Sequence, residues 1–218
     1  MLGTETMIKA DEQGTHRPVS PTSPAVTDAY LRALALALRV HEKGTGEHAE
    51  RTCALATRVA LELGVRDVSK VRQVAVLHDI GKLAVPRSIL HKPGRLSAPE
   101  WRAVRRHPAV GADLLESIAG FGPVRAAILA HHERFDGRGY PSGLAGTEIP
   151  VEARLICVVD AYDAMTNERP YQSALSHAEA IERLNLGAGT QFDPAMLEAV
   201  EDALSRNLAP RPTVHPLV

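Results

Sequence analysis

An all-α helical bundle is the fold class this sequence predicts, and three features carry the prediction. Apolar residues recur at three- and four-residue spacings through several segments, as in helices with one buried face. Two Ser-x-x-Glu boxes, Ser97 with Glu100 and Ser176 with Glu179, mark helix starts. Residues able to ligate a metal (His48, His78, Asp79, His107, His131, His132 and Asp160) are scattered over more than a hundred positions. A helical protein builds such a centre from facing helices.

The 218 residues suit one globular domain, and a 44% apolar content supplies a core. Aromatics are only 4%, so that core must be mostly Leu, Ala, Val and Ile. A net charge of -1 argues against DNA or RNA binding and against a polybasic membrane surface, both of which need phosphate-neutralising patches. It leaves room for a small anionic substrate held by a few side chains. No run of eighteen apolar residues exists, so no membrane span is expected. Glu5, Lys9, Asp11 and Glu12 precede any apolar run, which does not fit a signal peptide. Cys53 and Cys157 are far apart, with no CxxC spacing, and read as reduced core thiols of a cytoplasmic protein.

Taken in order, residues 1–25 are rich in Ser, Thr, Pro and Gly and read as a disordered tail or linker. The folded domain is expected over 27–205, with a flexible tail over 206–218. Thr27 or Asp28 caps a first helix whose stripe is Tyr30, Leu31, Leu34 and Leu38. A second runs from about Glu47 to Leu63, with His48 in its first turn and Gly64 as its stop. Ser69 opens a third, which ends at His78, Asp79 and Gly81. Residues 83–98 are irregular apart from a helical turn at 87–90. The helix opened by Ser97 carries Trp101, Val104, His107, Leu114, Leu115 and Ile118, and Pro108 predicts a kink or break in it. Pro123 opens the helix that ends at His131 and His132. After a glycine-rich loop, Pro150 opens a long apolar helix over 153–164 containing Asp160 and Asp163. Its 155–159 run could pass for a strand, but helical flanks decide otherwise. A turn at 167–171, a helix from Ser176 to about Leu186 and a last helix behind Asp193 and Pro194 complete about seven or more helices.

Adjacent His–Asp and His–His pairs are expensive to bury without partners. At a helix end His78 and Asp79 can both reach one centre, with Asp79 as a bridge between two cations. His131 and His132 would then serve one metal each. Imidazole mixed with carboxylate suits Fe, Mn, Zn or Co. Asp160 interrupts an apolar run and needs a partner of its own. Asp163 either orients a ligand or caps a neighbour. His16, His41, His91, His177 and His215 read as ordinary surface or core histidines.

Gly137, Gly139, Gly143 and Gly146 fall within ten positions, directly behind two candidate ligands. Tyr140 in this loop either packs against it or faces a substrate, and Asp136 orders the loop or a ligand. Lys82, four residues after His78, and Arg169, nine after Asp160, can reach phosphoryl oxygens.

These stretches (HDIGK at 78–82, HP at 107–108, HHERFDGRGYPSGL at 131–144, DAYDAMTNERPY at 160–171 and GTQFDP at 189–194) resemble the HD-GYP domain, a branch of the HD phosphohydrolase superfamily. The likeness spans about 27–205. It implies an HD-domain helical bundle with a glycine-rich GYP loop, acting as a cytoplasmic metal-dependent phosphodiesterase on cyclic di-GMP. It assigns His48, His78, Asp79, His107, His131, His132 and Asp160 to a dinuclear metal centre of Fe or Mn, with Zn, Co or Ni accepted in vitro. Asp79 and Lys82 are the catalytic pair. Lys82, Arg169, Tyr140, Gly137 and Gly139 contact substrate, and Asp136 and Asp163 support the site. The expected chemistry is attack of a metal-bridging hydroxide on phosphorus, giving pGpG first and leaving a second cut to GMP open. Two positions depart from the family pattern. Members with a third metal carry a glutamate where this chain has Gly44, so two metals are expected. Gln172 stands where a basic residue is frequent, so one phosphate or guanine contact is expected to be weaker. A homodimer or a separate regulatory protein is the expected source of control. The competing readings are a phosphodiesterase for another cyclic dinucleotide or phosphoester, a cyclic di-GMP receptor without turnover, and a purely structural bundle.

Overall fold

The central layer forms where α2 (Thr45–Glu62), α3 (Val68–Leu77) and α8 (Val151–Thr166) pack on one another. Ala56, Val59 and Ala60 of α2, Val71, Val74 and Leu77 of α3 and Leu155, Ile156, Val158 and Val159 of α8 are fully buried there. The computed structural model describes residues 24–42, 45–116, 118, 120–168 and 173–208. Among these it contains ten α-helices and two 3-10 turns, and no strand. α1 (Pro24–His41) lies against α2, α3 and the first 3-10 turn (Ile80–Ala84). α4 (Arg87–Leu90) and α5 (Ala98–Val104) cross to α6 (His107–Leu114), which packs on that same turn and on α7 (Gly122–Ala130). α9 (His177–Leu186) and α10 (Pro194–Leu208) close over α8.

Local chemistry explains most boundaries. Both capping boxes form: the Ser97 amide donates to Glu100 Oε2 at 2.6 Å and the Ser176 amide to Glu179 Oε2 at 2.9 Å. Pro108 does break its segment, separating α5 from α6. The 155–159 run is helical. It shows no amphipathic period because α8 touches α2, α3, α7, α9 and α10 and is buried on nearly every side.

Several expectations need correction. α1 starts at Pro24, not at Thr27 or Asp28, and α10 continues to Leu208, so residues 24–25 and 206–208 are helical; the remainder of both tails lies outside the described residues. α3 is capped by Asp67, whose Oδ1 accepts from the Lys70 amide, and Ser69 sits inside its first turn. The 3-10 turn after Asp79 was not foreseen. Tyr30, Trp101 and Leu114, read as members of apolar stripes, are exposed, as is Leu63, the expected end of the second helix. Leu63 lies past the end of α2, and α5 buries none of its residues. Cys53 and Cys157 are free thiols, as expected, and each is half-buried. Gly44, Arg169, Gln172 and most of the expected turn at 167–171 lie outside the described residues.

Candidate metal centre

Glycine contact brings the site together. A Cβ on Gly81 would lie 1.9 Å from the His107 carbonyl oxygen and 2.6 Å from the Gly111 amide nitrogen. Only glycine lets the 3-10 turn lie on the first turn of α6. That contact sets Asp79 beside His107. His78 is the C-cap of α3, His131 the C-cap of α7 and His107 the first residue of α6, so three helix ends converge. His48 enters from α2 and Asp160 from α8.

The histidine rings are aimed by their Nδ1 atoms. Nδ1–H of His78 donates to the Ala75 carbonyl at 2.9 Å, that of His107 to Val104 at 2.8 Å and that of His131 to Ile128 at 2.6 Å. A carbonyl oxygen only accepts, so each ring carries its proton on Nδ1 and turns an Nε2 lone pair inward. His48 Nδ1 is held in the same way by Asp163 Oδ2 at 2.7 Å. The inward nitrogens meet: His107 Nε2 lies 3.1 Å from His131 Nε2, and His48 Nε2 lies 3.4 Å from His78 Nε2. Burial lowers the pKa of His107 and drives that of His131 well below the usual range, so both are neutral. Two neutral lone pairs facing at 3.1 Å repel, and a cation between them removes the conflict.

The donors fall into two groups, His107 with His131 and His132, and His48 with His78 and Asp160; in each, the candidate atoms lie within 4.8 Å of one another. The sequence reading gave His131 and His132 one metal each, whereas the structure places both rings in one donor group at the end of α7. Their ring centroids are 4.1 Å apart. Asp79 stands between the groups. Its Oδ1 is 3.3 Å from His107 Nε2 and its Oδ2 is 3.6 Å from His78 Nε2. Asp160 Oδ1 is 3.3 Å from His48 Nε2. No sulfur enters either group.

Charges in the site are mutually held. Burial pushes the Asp79 carboxyl upward, but Lys82 and then the histidines override it and leave the pKa well below the ordinary range. Burial likewise works against the Lys82 ammonium, yet Asp79 and Glu42 keep it charged. Lys82 Nζ donates to Asp79 Oδ2 at 2.7 Å and lies 3.9 Å from Glu42 Oε2. Burial lowers His132 to about 4. Burial opposes the His48 imidazolium, while the Asp163 hydrogen bond and the Asp160 charge raise its pKa.

Asp163 bonds His48 and also accepts from Asn167 Nδ2, at the end of its own helix, at 3.0 Å. Beside His48, it takes two bonds from Arg51, Nε to Oδ1 at 2.6 Å and Nη2 to Oδ2 at 3.0 Å. Arg51 was not picked out from the sequence. Its position three residues after His48, on the same helix face, was the available signal.

The glycine loop is tied down by Glu133, a second residue the sequence reading passed over. This buried carboxylate accepts the Ser142 amide at 2.6 Å and the Gly143 amide at 3.1 Å. A Cβ on Gly139 would meet the backbone of Glu133 and Arg134 at 2.3–2.6 Å, which accounts for that glycine by packing alone. Gly137 has φ +76°, a left-handed conformation natural to glycine. Asp136 orders the loop: it pairs with Arg134 at 2.8 Å and accepts the Arg138 amide, and Arg134 holds its pKa near 2. Tyr140 packs between two side chains. Its ring stacks on His132 at 5.0 Å, and the Arg105 guanidinium covers it at 4.1 Å. Arg105 is a third residue that no sequence signal singled out.

Two histidine-rich donor groups thus lie on either side of Asp79 in an all-helical bundle. The HD domain family model matches residues 32–196, and the chain belongs to that family. It is 41% identical over 174 residues to the cyclic di-GMP phosphodiesterase response regulator RpfG of Xanthomonas campestris pv. campestris, covering 78% of this chain and 46% of that protein. It is 42% identical to the cyclic di-GMP phosphodiesterase PA4108 of Pseudomonas aeruginosa, with 77% and 41% covered. To the 3′3′-cGAMP-specific phosphodiesterase 3 of Vibrio cholerae it is 38% identical, with 84% and 41% covered. The chain thus spans under half the length of these curated relatives. The crystal structure of a cyclic GMP-AMP phosphodiesterase from V. cholerae, V-cGAP3, shares the fold at TM-score 0.62 and 18% identity, over 81% of this chain and 48% of that one. The L. monocytogenes PgpH HD domain in complex with cyclic-di-AMP shares it at 0.58 and 17%, over 85% and 99%. Among the described residues no helix is long and apolar enough to cross a membrane.

Proposed function

We propose that this chain is a metal-dependent phosphodiesterase that opens cyclic di-GMP to pGpG and then to GMP, working in the cytoplasm on a dinuclear centre. The observation that carries the reading is Asp79, with one carboxylate oxygen facing each histidine group. His48, His78 and Asp160 would hold one cation and His107, His131 and His132 the other, with Asp79 shared. The nitrogen and oxygen donors favour Fe or Mn and admit Zn, Co or Ni. Bound there, the cations supply Lewis-acid activation of water and charge neutralisation at phosphorus.

The chain's own residues supply the rest. The backbone carbonyls and Asp163 fix the Nδ1–H tautomers, so the donor nitrogens are preorganised without reorientation. Lys82 stays charged despite burial and sits at the rim of Asp79, where its ammonium can donate to a non-bridging phosphate oxygen. Tyr140 walls the site above His132. Hydrolysis breaks the bond from phosphorus to the 3′ oxygen, which leaves with a proton from water. Arg169 is retained as a phosphate contact on the resemblance alone.

Curated relatives named for 3′3′-cGAMP keep a second substrate in view. A panel of cyclic di-GMP, 3′3′-cGAMP and cyclic di-AMP with wild-type and D79A protein decides. Cleavage of cyclic di-GMP at the highest kcat/KM, abolished in D79A, is expected. Preference for 3′3′-cGAMP would replace the substrate, and a metal-replete D79A protein at wild-type rates would end the mechanism. K82A is expected to lose rate while keeping its metal content. Equal loss of metal would reassign Lys82 to building the site.

A further inference from the structure

Arg105 is set apart by where its guanidinium rests, on the ring of Tyr140. Arg51, Arg134, Arg154 and Arg125 are each engaged by a carboxylate. Arg105, the exposed C-cap of α5, has no side-chain hydrogen bond or ion pair among the described residues; its contact is the face of Tyr140. The opposite relation holds Tyr140 itself, whose ring lies nearly parallel to His132, at an interplanar angle of 25°. His132, Tyr140 and Arg105 therefore form a stack that runs from the donor cluster to the protein surface. The stacking fixes where the guanidinium sits while leaving its N–H donors available, and a guanidinium fork matches the two oxygens of a phosphodiester.

A cyclic dinucleotide carries two phosphodiesters. One lies at the reacting centre when the other is across the macrocycle, still charged and in need of a partner. We propose that Arg105, held in place by Tyr140, is a specificity-determining residue that takes the phosphodiester not being cut. This rests on the phosphodiesterase reading above. It explains why an aromatic ring beside the centre is capped by a cation rather than by an apolar side chain. It also predicts that Arg105 acts on binding of a two-phosphate substrate and little on the chemical step.

The test compares kcat and KM of wild-type, R105A, R105K, Y140A and R105A/Y140A proteins at equal metal content. The substrates are cyclic di-GMP and bis(p-nitrophenyl) phosphate, which has a single phosphodiester. Loss of a charge-assisted hydrogen bond predicts that R105A raises KM for cyclic di-GMP by about tenfold or more, with a much smaller change in kcat. Its kcat/KM on bis(p-nitrophenyl) phosphate should fall by far less. R105K should recover only part of the loss, because an ammonium does not fork. Y140A, which removes the platform, should be non-additive with R105A in the R105A/Y140A double variant. Equal losses on both substrates would make Arg105 a structural support and overturn the proposal, as would an unchanged KM. Binding of a phosphorothioate analogue of cyclic di-GMP separates this inference from the activity. A wild-type protein that turns over neither substrate, yet binds the analogue about tenfold more tightly than R105A does, would refute the phosphodiesterase and keep the Arg105 contact. Equal binding by both proteins would overturn the contact itself.

Discussion

Asp163 shows how one carboxylate prepares a ligand it does not replace. It accepts from His48 Nδ1 and from both sides of the Arg51 fork, so it is satisfied without turning toward the donor groups. Replacing it by Asn removes the charge and leaves the shape. D163N is expected to weaken binding of one metal by about 10–100-fold while the second stays, read by competition with a chelator. Protonation follows the same residues. The His132 imidazole is lowered from 6.5 to about 4 by burial, and His107 and His131 move the same way. A base whose folded pKa is depressed stabilises the native state above the unfolded value and loses that contribution as pH falls toward the folded one. The metal-free protein should therefore lose stability as pH drops from about 6.5 to 4, by an order of a few kcal/mol. Urea midpoints that stay level or rise over that range would contradict it. Burial lifts the Cys157 thiol to about 12, and so it should resist alkylation at pH 8 unless the protein is unfolded. At this scale the sequence was legible where chemistry was adjacent in the chain, as in His78–Asp79 and His131–His132. It was silent on Arg105, because the ring that Arg105 covers is thirty-five residues away in sequence.

At the scale of elements, the decisive joint is the 3-10 turn against α6. Gly81 allows the backbone of one to touch the backbone of the other, and neither side of that contact can yield by rotating a side chain. G81A should force the turn off His107, destabilise the fold by about 1–3 kcal/mol and reduce metal uptake in the same variant. A G81A protein with wild-type melting temperature and metal content would show that the contact positions nothing. The helix starts at Ser97 and Ser176 and the break at Pro108 were readable because each acts on residues within one turn. The 3-10 turn was not, since its course follows from the Gly81–His107 approach between segments far apart in the chain. Burial of α8 on all sides erased the period that would have distinguished it from a strand, and only its helical flanks resolved it.

Over the whole molecule, donors from α2, α3, α6, α7 and α8 meet because these five helices share one core of small and medium apolar residues. The all-α class could be read from periodicity, and the candidate ligands stood out because they were too numerous to be bland. The division of those ligands between two groups could not, because it depends on how α7 ends and on which way paired rings turn. The proposed function requires two cations sharing Asp79. The most direct measurement counts metal per chain in protein purified anaerobically with iron or manganese and follows cyclic di-GMP over time in the same sample. The expected result is close to two metals per chain with pGpG appearing and then GMP. One metal or none after reconstitution, with cyclic di-GMP left intact, would contradict it.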